Sequence, residues 1–461
     1  MIGAVDQIEI GHGVTADLYL LRFDKDGKLK SPRTAEKFLA AAASASDVFC
    51  FSHGWNNTYD LALTNYRRFI RGFADQRRQL KLPLPVGYKP VLLGIIWPAT
   101  SFVLPWEAGP EIAGAGDPAA ALADEEMLTF VSESLSAADQ ATLAELIDGR
   151  TELPSADAER AAAIVLSALW ADDDADLAVP PPTAREFLDS WRALDEATTG
   201  DVSIGGEDVF RAVPDDGAVP DDGAVPDAGL QAAGGFALDP RNLLRGATLW
   251  KMKARAGRVG ANGVGPIVRT VLTQSATTRV HLIGHSFGAR VMLSAVASGT
   301  FPSGEFPRKV FSMLLLQPAV NRWCFAPKVP GTDAVGGYNP VLDRVVKPIL
   351  TTFSSADVPL HDFFHLAVRG GSLGELQIAA VGNSDLYGAL GGYGPAGLGK
   401  LATTVKALAP GAKRYDLTNG SRVVAIDGGV VVGGSTAIAG HSEISNPVTY
   451  WALHNAVAPE T

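Results

Sequence analysis

Four short runs that are apolar nearly throughout place the strongest constraint on how this chain can fold. Longer segments between the runs have the three-to-four-residue apolar spacing of amphipathic helices. A strand of a parallel sheet has this near-continuous apolar character when helices cover both of its faces. We therefore predict an α/β fold with a mostly parallel central sheet and helices on both faces. The four runs are residues 47–51, 90–96, 279–283 and 311–316.

Further segments extend this alternation. Residues 15–23, 349–353 and 422–426 are shorter β-branched runs that predict additional strands. Residues 59–82 have helical apolar spacing. Residues 249–272 begin as an amphipathic helix, and we expect their glycines to interrupt it.

The interval from Thr100 to Gly235 breaks the alternation, because it is rich in Ala, Leu and acidic residues and contains no convincing strand. We divide the chain into a first core part at 1–100, a helical insertion at 101–235 and a second core part at 236–461. Near the end of the insertion, residues 212–229 repeat a Pro-, Asp- and Gly-containing hexapeptide. Pro and Gly prevent a regular helix there, so we predict a linker or hinge. The repeat lacks the spacing of an EF-hand, so we expect no calcium site.

Composition limits the partners and the compartment. Of the 461 residues, 47% are hydrophobic and 19% charged, which is typical of a globular protein. The net charge of −11 argues against nucleic acid or an anionic membrane surface as a partner. Only Cys50 and Cys324 are present, which fits a reducing compartment. No apolar run approaches 18 residues and the first residues do not resemble a signal peptide, so we expect a cytoplasmic protein without stable membrane association.

The strongest chemical signal is Gly284-His285-Ser286-Phe287-Gly288, which joins a predicted strand to a predicted helix. In this G-x-S-x-G arrangement a sharp, strained turn lifts the serine hydroxyl away from the sheet. Gly284 and Gly288 avoid clashes in the turn, and the N-terminus of the following helix stabilises negative charge. We predict Ser286 to be a nucleophile.

A second signal is His53-Gly54-Trp55 at the end of the 47–51 run. Acyl transfer needs two N–H donors for the oxyanion that forms on the substrate carbonyl. One is the backbone N–H of Phe287, the residue after the nucleophile, and the second comes from a loop after an earlier strand. Gly54 permits the backbone turn and Trp55 supplies this second N–H. We expect His53 to have a structural role.

At these residues the sequence resembles the α/β-hydrolase superfamily, and within it bacterial serine esterase and lipase-like proteins. The resemblance covers residues 15–100 and 236–455 and leaves the insertion unmatched. It is carried by His53-Gly54-Trp55, by the Ser286 motif, by Ser354-Ser-Ala-Asp357 and by Gly440-His441-Ser442. The family implies the chain order nucleophile, acid, histidine, which this sequence provides.

Only histidines after Ser286 fit that order. We predict His441 as the general base, because a Gly-rich loop after residues 422–426 can bring its imidazole to the serine. His361 and His365 are alternatives on a predicted helix directly after Asp357. We expect His285 to pack beneath the turn.

The resemblance places the acid at Asp357, which ends the 349–353 run and would orient the imidazole. Asp427, which ends the next run, is the main rival. We interpret Asp416 as part of a surface loop.

No metal or cofactor is expected. His361 and His365 have the spacing of a helical metal pair, but the Glu of a zinc-protease motif and a third ligand are missing. Residues 369–411 contain many glycines without a dinucleotide fingerprint, so we predict an irregular loop near a site mouth.

These residues together predict a serine esterase of the α/β-hydrolase fold that cleaves a small-molecule carboxylic ester, with the insertion as a cap over the acyl site. An amidase, a peptidase or an acyltransferase could use the same residues. A hydrolase-like scaffold that binds a partner without catalysis is an alternative of another class. The acyl group, the alcohol and the oligomeric state are left open by the sequence.

Overall fold

The computed structural model describes residues 3–55, 57–99, 131–132, 135–147, 150, 152–169, 183–185, 187–188, 240–297, 306, 308–330, 333–364 and 387–458. Most of the predicted insertion lies outside these residues, as do the repeat at 212–229 and His365.

Nine strands of the described residues form one sheet. They are β1 (Asp6–Glu9), β2 (Thr15–Arg22), β3 (Asp47–Ser52), β4 (Pro90–Ile96), β5 (Arg279–His285), β6 (Ser312–Leu316), β7 (Ile349–Phe353), β8 (Ala402–Lys406) and β9 (Val423–Asp427). Their order across the sheet is β1-β2-β4-β3-β5-β6-β7-β9-β8. The edge pair β1–β2 is antiparallel, and all other neighbouring pairs are parallel. The predicted α/β class with a mostly parallel sheet is therefore confirmed.

Helices cover both faces of this sheet. Side chains alternate along each strand, so that Val48 and Cys50 join one apolar cluster while Phe49 and Phe51 join the other. In the described part of the chain, the helices of eight or more residues are α1 (Pro32–Ala42), α2 (Tyr59–Gln79), α3 (Ala137–Ile147), α4 (Ser155–Leu169), α5 (Pro240–Arg258), α6 (Gly265–Gln274), α7 (Phe287–Ala297) and α8 (Pro447–Val457). Helices α1, α6 and α7 pack in the first cluster, and α2 and α8 pack in the second.

Strand register shows which ends of the parallel strands lie side by side. Asp47 pairs with Arg279 where β3 and β5 begin, and Ser52 pairs with Gly284 near their carboxyl ends. Because β2 to β9 run parallel, the loops after β3, β5, β6, β7 and β9 all emerge at the carboxyl ends of the strands, which we call the active edge of the sheet. Ser286 follows β5 at that edge.

The prediction that glycines interrupt the helix within residues 249–272 is wrong. Helix α5 continues through a π-helical segment, Val259–Val264, directly into α6. A Cβ atom at Gly260 would lie 2.3 Å from the Val291 carbonyl oxygen of α7. The glycine therefore allows close helix packing and does not end the helix.

The prediction of an irregular stretch at 369–411 is wrong in its last part, because β8 lies there. Its sequence, ATTVK, is only partly buried, since β8 is the outermost strand on its side of the sheet. An edge strand lacks the continuous apolar run of a doubly covered strand. Strand β1, at the opposite edge, is missed for the same reason.

The described pieces of the insertion include α3 and α4. Ser136 caps α3, and its hydroxyl accepts a hydrogen bond from the Asp139 N–H at 3.2 Å. Helix α4 contacts α5, which in turn contacts α7. In the described part of the chain, no helix combines the length and the apolar character needed to cross a bilayer.

Candidate active site

Ser286 sits in strained backbone between β5 and α7. Its φ is +55°, a left-handed conformation that residues other than glycine seldom adopt. The Ser286 N–H donates to the Leu316 carbonyl at 3.0 Å, which ties the turn to β6. Helix α7 begins at the next residue, Phe287, whose N–H belongs to the first turn and so has no acceptor within the helix. The serine is therefore held beside a cluster of helix N-terminal amides.

Two glycines make this close arrangement possible. A Cβ at Gly288 would lie 2.2 Å from the Ser52 carbonyl oxygen of β3. A Cβ at Gly54 would lie 2.7 Å from the Ser286 Cβ. The His53-Gly54-Trp55 loop therefore lies directly against the serine, as its position after β3 predicts.

His441 joins Ser286 to Asp357. Its Nε2 lies 2.9 Å from the Ser286 hydroxyl oxygen. Its Nδ1 lies 2.9 Å from Asp357 Oδ2. A carboxylate only accepts, so Nδ1–H donates and Nε2 accepts the serine proton. Three side chains that the sequence analysis singled out thus form one continuous hydrogen-bonded chain.

Asp357 is fully buried and makes two further hydrogen bonds. Its Oδ1 accepts from the Leu360 N–H at 3.1 Å, and its Oδ2 accepts from the Gln317 side-chain amide at 2.8 Å. Gln317 directly follows β6 and has a φ of +44°. Sequence reasoning missed Gln317, although a polar residue that ends an apolar strand at the active edge is a usable signal.

The rival carboxylates serve as turn caps. Asp427 accepts from the Gly429 N–H at 2.9 Å. Asp416 accepts from both the N–H and the hydroxyl of Thr418. No hydrogen bond joins either aspartate to His441 in the described residues.

His285 contacts the histidine loop, whereas we expected it to pack beneath the turn. Its Nε2 donates to the His441 carbonyl at 2.9 Å, and the two rings lie 5.0 Å apart. Burial and the nearby His441 lower the pKa of His285 to about 3, so the ring is neutral. His361, one of the two alternative bases, stacks on Tyr393 with ring centroids 4.4 Å apart.

The loop that carries Trp55 is fixed by buried polar groups. His53 bonds to the Gly54 carbonyl at 2.8 Å and stacks on Trp97. Burial lowers its pKa to about 4, which fits the structural role expected for it. The Asn57 side chain, which the sequence analysis did not single out, donates to the Trp55 carbonyl at 2.8 Å.

The loop that carries His441 is held against β7. It contains a small hairpin, Val431–Val432 with Ser435–Thr436. Beyond the hairpin, the Ser354 hydroxyl donates to the Ile438 carbonyl at 2.8 Å. Ser354 belongs to the same turn as Asp357, so one turn orients both the carboxylate and the histidine loop.

The described residues contain no group of three or more His, Cys, Asp or Glu side chains that could hold a metal ion. Of the two histidines with helical metal-pair spacing, His361 is described and His365 lies outside the described residues. The arrangement that is present can remove a proton from the Ser286 hydroxyl and stabilise the resulting imidazolium.

Comparison with protein-family models, with curated proteins and with solved structures found no match for this chain.

Proposed function

We propose that this chain is a serine hydrolase of the α/β-hydrolase fold that cleaves carboxylic esters through an acyl-enzyme intermediate. One observation carries the proposal: the hydrogen-bonded chain from Ser286 through His441 to the buried Asp357, with both bonds at 2.9 Å. A serine hydroxyl is a weak nucleophile until a base takes its proton.

In the proposed reaction, the Ser286 oxygen attacks the ester carbonyl while His441 Nε2 takes its proton. Asp357 holds the Nδ1–H tautomer and stabilises the imidazolium. The backbone amides of Trp55 and Phe287 stabilise the oxyanion. His441 then protonates the leaving alcohol. Water, activated by the same histidine, attacks the acyl group and releases the carboxylic acid.

Two features support the fold within this proposal. The nucleophile, the acid and the histidine occur in the chain order typical of α/β-hydrolases. The loop with Gly54 and Trp55 also leaves strand β3 and precedes a helix, which is where this fold takes its second oxyanion donor.

Hydrolysis of chromogenic esters of increasing acyl length tests the activity, and a fluorophosphonate probe tests the nucleophile. We expect the probe to modify Ser286. Ser286→Ala should lose the label and lower turnover by about three to six orders of magnitude. Ser44→Ala, which removes an exposed hydroxyl from another part of the chain, is the matched control and should behave as wild type.

Normal turnover by Ser286→Ala in a clean preparation would contradict the mechanism. A folded wild-type protein that neither takes the label nor hydrolyses any ester would favour the non-catalytic scaffold. Turnover of amides in preference to the matching esters, or transfer of the acyl group to an added alcohol in preference to water, would reassign the reaction class.

A further inference from the structure

A pocket lies at the amino-terminal ends of β3 and β5, on the opposite side of the sheet from the Ser286 turn. It encloses about 230 Å³ and is lined by Asp47 and Arg279, the first residues of β3 and β5, together with residues of α2 and α8. Seven residues at ~3.3 Å each separate Arg279 from Ser286, or about 23 Å. The pocket is therefore separate from the candidate active site.

Positive charge dominates this pocket. Three arginines and one aspartate line it. The aspartate, Asp47, is already paired with Arg279 at 2.7 Å and with the His281 ring at 2.9 Å. Among the described residues, no carboxylate forms an ion pair with Arg77 or with the exposed Arg414.

Arg77 is buried, with only 4% of its surface exposed. It donates one hydrogen bond to the Ile10 carbonyl at 2.9 Å and lies over the rings of Phe73 and Tyr88. No described carboxylate lies within ion-pair distance of it. A buried guanidinium without an anion is costly, so this position favours an anionic ligand.

Two buried polar atoms of the lining residues have no hydrogen-bond partner among the described residues: Trp451 Nε1 and His454 Nε2. The Tyr88 hydroxyl oxygen accepts from the Arg77 guanidinium. Trp451 Nε1–H and the Tyr88 O–H can therefore donate to an anion. The His454 ring bonds to the Phe73 carbonyl, and burial together with Arg77 lowers its pKa to about 3. Its ring is therefore neutral, and Nε2 is left as an acceptor.

Most of the remaining wall is apolar. The exception is Asn455, whose side-chain amide is already bonded to the Tyr415 N–H and the Trp451 carbonyl. The apolar part is formed by Phe49, Leu82, Pro83, Leu84, Pro85, Val457 and Ala458. An inorganic phosphate would leave oxygens without hydrogen bonds against such a wall. An organic acid can instead place its carboxylate by the arginines and its apolar part against the wall. The volume has room for about seven waters at ~30 Å³ each, which suits a small organic acid.

We propose that this pocket binds a small organic monocarboxylate. The carboxylate lies by Arg77, with Tyr88, Trp451 and Arg414 around it, and the apolar body lies against the proline- and leucine-containing wall.

Calorimetric titration of the protein with phenylacetate tests the site, and phenylacetate has no ester bond, so the proposed hydrolysis plays no part. We expect one saturable site. Tyr88→Phe and Arg414→Gln should each weaken binding at least about fivefold, because each removes a donor or a charge and leaves the wall intact. Lys413→Gln removes the same charge one residue away from the pocket and should bind as the parent does. Phenylacetamide and inorganic phosphate should bind at least tenfold more weakly than phenylacetate.

Absence of saturable binding would overturn the proposal. So would binding that both pocket variants leave unchanged, because the acid would then occupy another site, such as the one at Ser286. Phosphate binding as tight as that of phenylacetate would contradict the role of the apolar wall. None of these outcomes depends on ester hydrolysis, so the pocket and the proposed function can fail separately.

Discussion

At the scale of single residues, Asp427 ends β9 and Asp357 lies in the turn after the neighbouring strand β7, but only Asp357 bonds to His441. Asp427 is occupied by the Gly429 N–H at 2.9 Å. Asp357→Asn should therefore lower kcat by about 10⁴, because an amide no longer holds the working tautomer of His441. Asp427→Asn should change kcat less than about threefold. Steady-state kinetics on one activated ester gives both values, and the reverse ranking would move the acid to β9.

Gln317 is a positioning residue for Asp357, since its amide donates to the carboxylate at 2.8 Å. Gln317→Leu removes this donor and should lower kcat about 10- to 100-fold, the range expected for one hydrogen bond to a charged group. KM should stay within about twofold, because the amide acts on Asp357 and not on substrate.

Gln76→Leu is the matched control for Gln317. It also removes a buried amide, one that donates to the Pro447 carbonyl at 2.7 Å and makes no bond to Asp357. It should cost stability and leave kcat unchanged. A Gln317 variant that raises KM at unchanged kcat would show a role in substrate binding.

At the scale of elements, the contact between α7 and β3 depends on Gly288. Gly288→Ala would bring a Cβ to 2.2 Å from the Ser52 carbonyl oxygen, and backbone cannot move aside as a side chain can. We expect a loss of about 1–3 kcal/mol in the free energy of unfolding, as for other overpacked sites. Urea denaturation measures it.

Gly257→Ala is the control, because this glycine lies inside α5 and its added Cβ would meet only the Arg290 side chain, at 3.3 Å. Alanine favours a helix over glycine by up to ~1 kcal/mol, so the variant should be neutral or more stable. Equal stability of the Gly288 variant and wild type would show that α7 can shift away from β3.

At the scale of the whole molecule, several histidines are buried in neutral form. Burial lowers the pKa of His53 to about 4, and those of His285 and His454 to about 3. Burial also lowers the pKa of His281, which is bonded to Asp47 and to the Ser312 hydroxyl. In the unfolded chain each histidine has a pKa near ~6.5, so below that pH the unfolded state binds more protons.

The contribution of these histidines to the free energy of unfolding should therefore be fully present above about pH 6.5 and should fall as the pH drops toward 4. His53, His285 and His454 each contribute a slope of about 1.4 kcal/mol per pH unit in this window. Urea denaturation at several pH values measures this slope. His454→Phe removes one of the titrating groups and should therefore reduce the slope by about 1.4 kcal/mol per pH unit. A free energy of unfolding that stays flat from pH 7 to 5 would contradict the burial of these rings.

The sequence by itself determined the interior of the sheet, the position of the Ser286 turn and the Gly54 loop. These features are local: a doubly covered strand needs a continuous apolar run, and a tight strand-to-helix turn needs small residues beside the serine. The same reasoning missed β1 and β8, because an edge strand buries too little surface to impose an apolar pattern.

Only the tertiary structure decided which of the candidate side chains meet. Asp427 ends β9 and Asp357 lies in the turn after β7, and the conformation of that turn brings the Asp357 carboxylate to His441. Gln317 and His285 act through contacts that join different strands and loops. The opposite pocket unites Arg77 and Arg279, more than two hundred positions apart, with α8. Strand register and helix packing set such distances, and no local pattern along the chain encodes them.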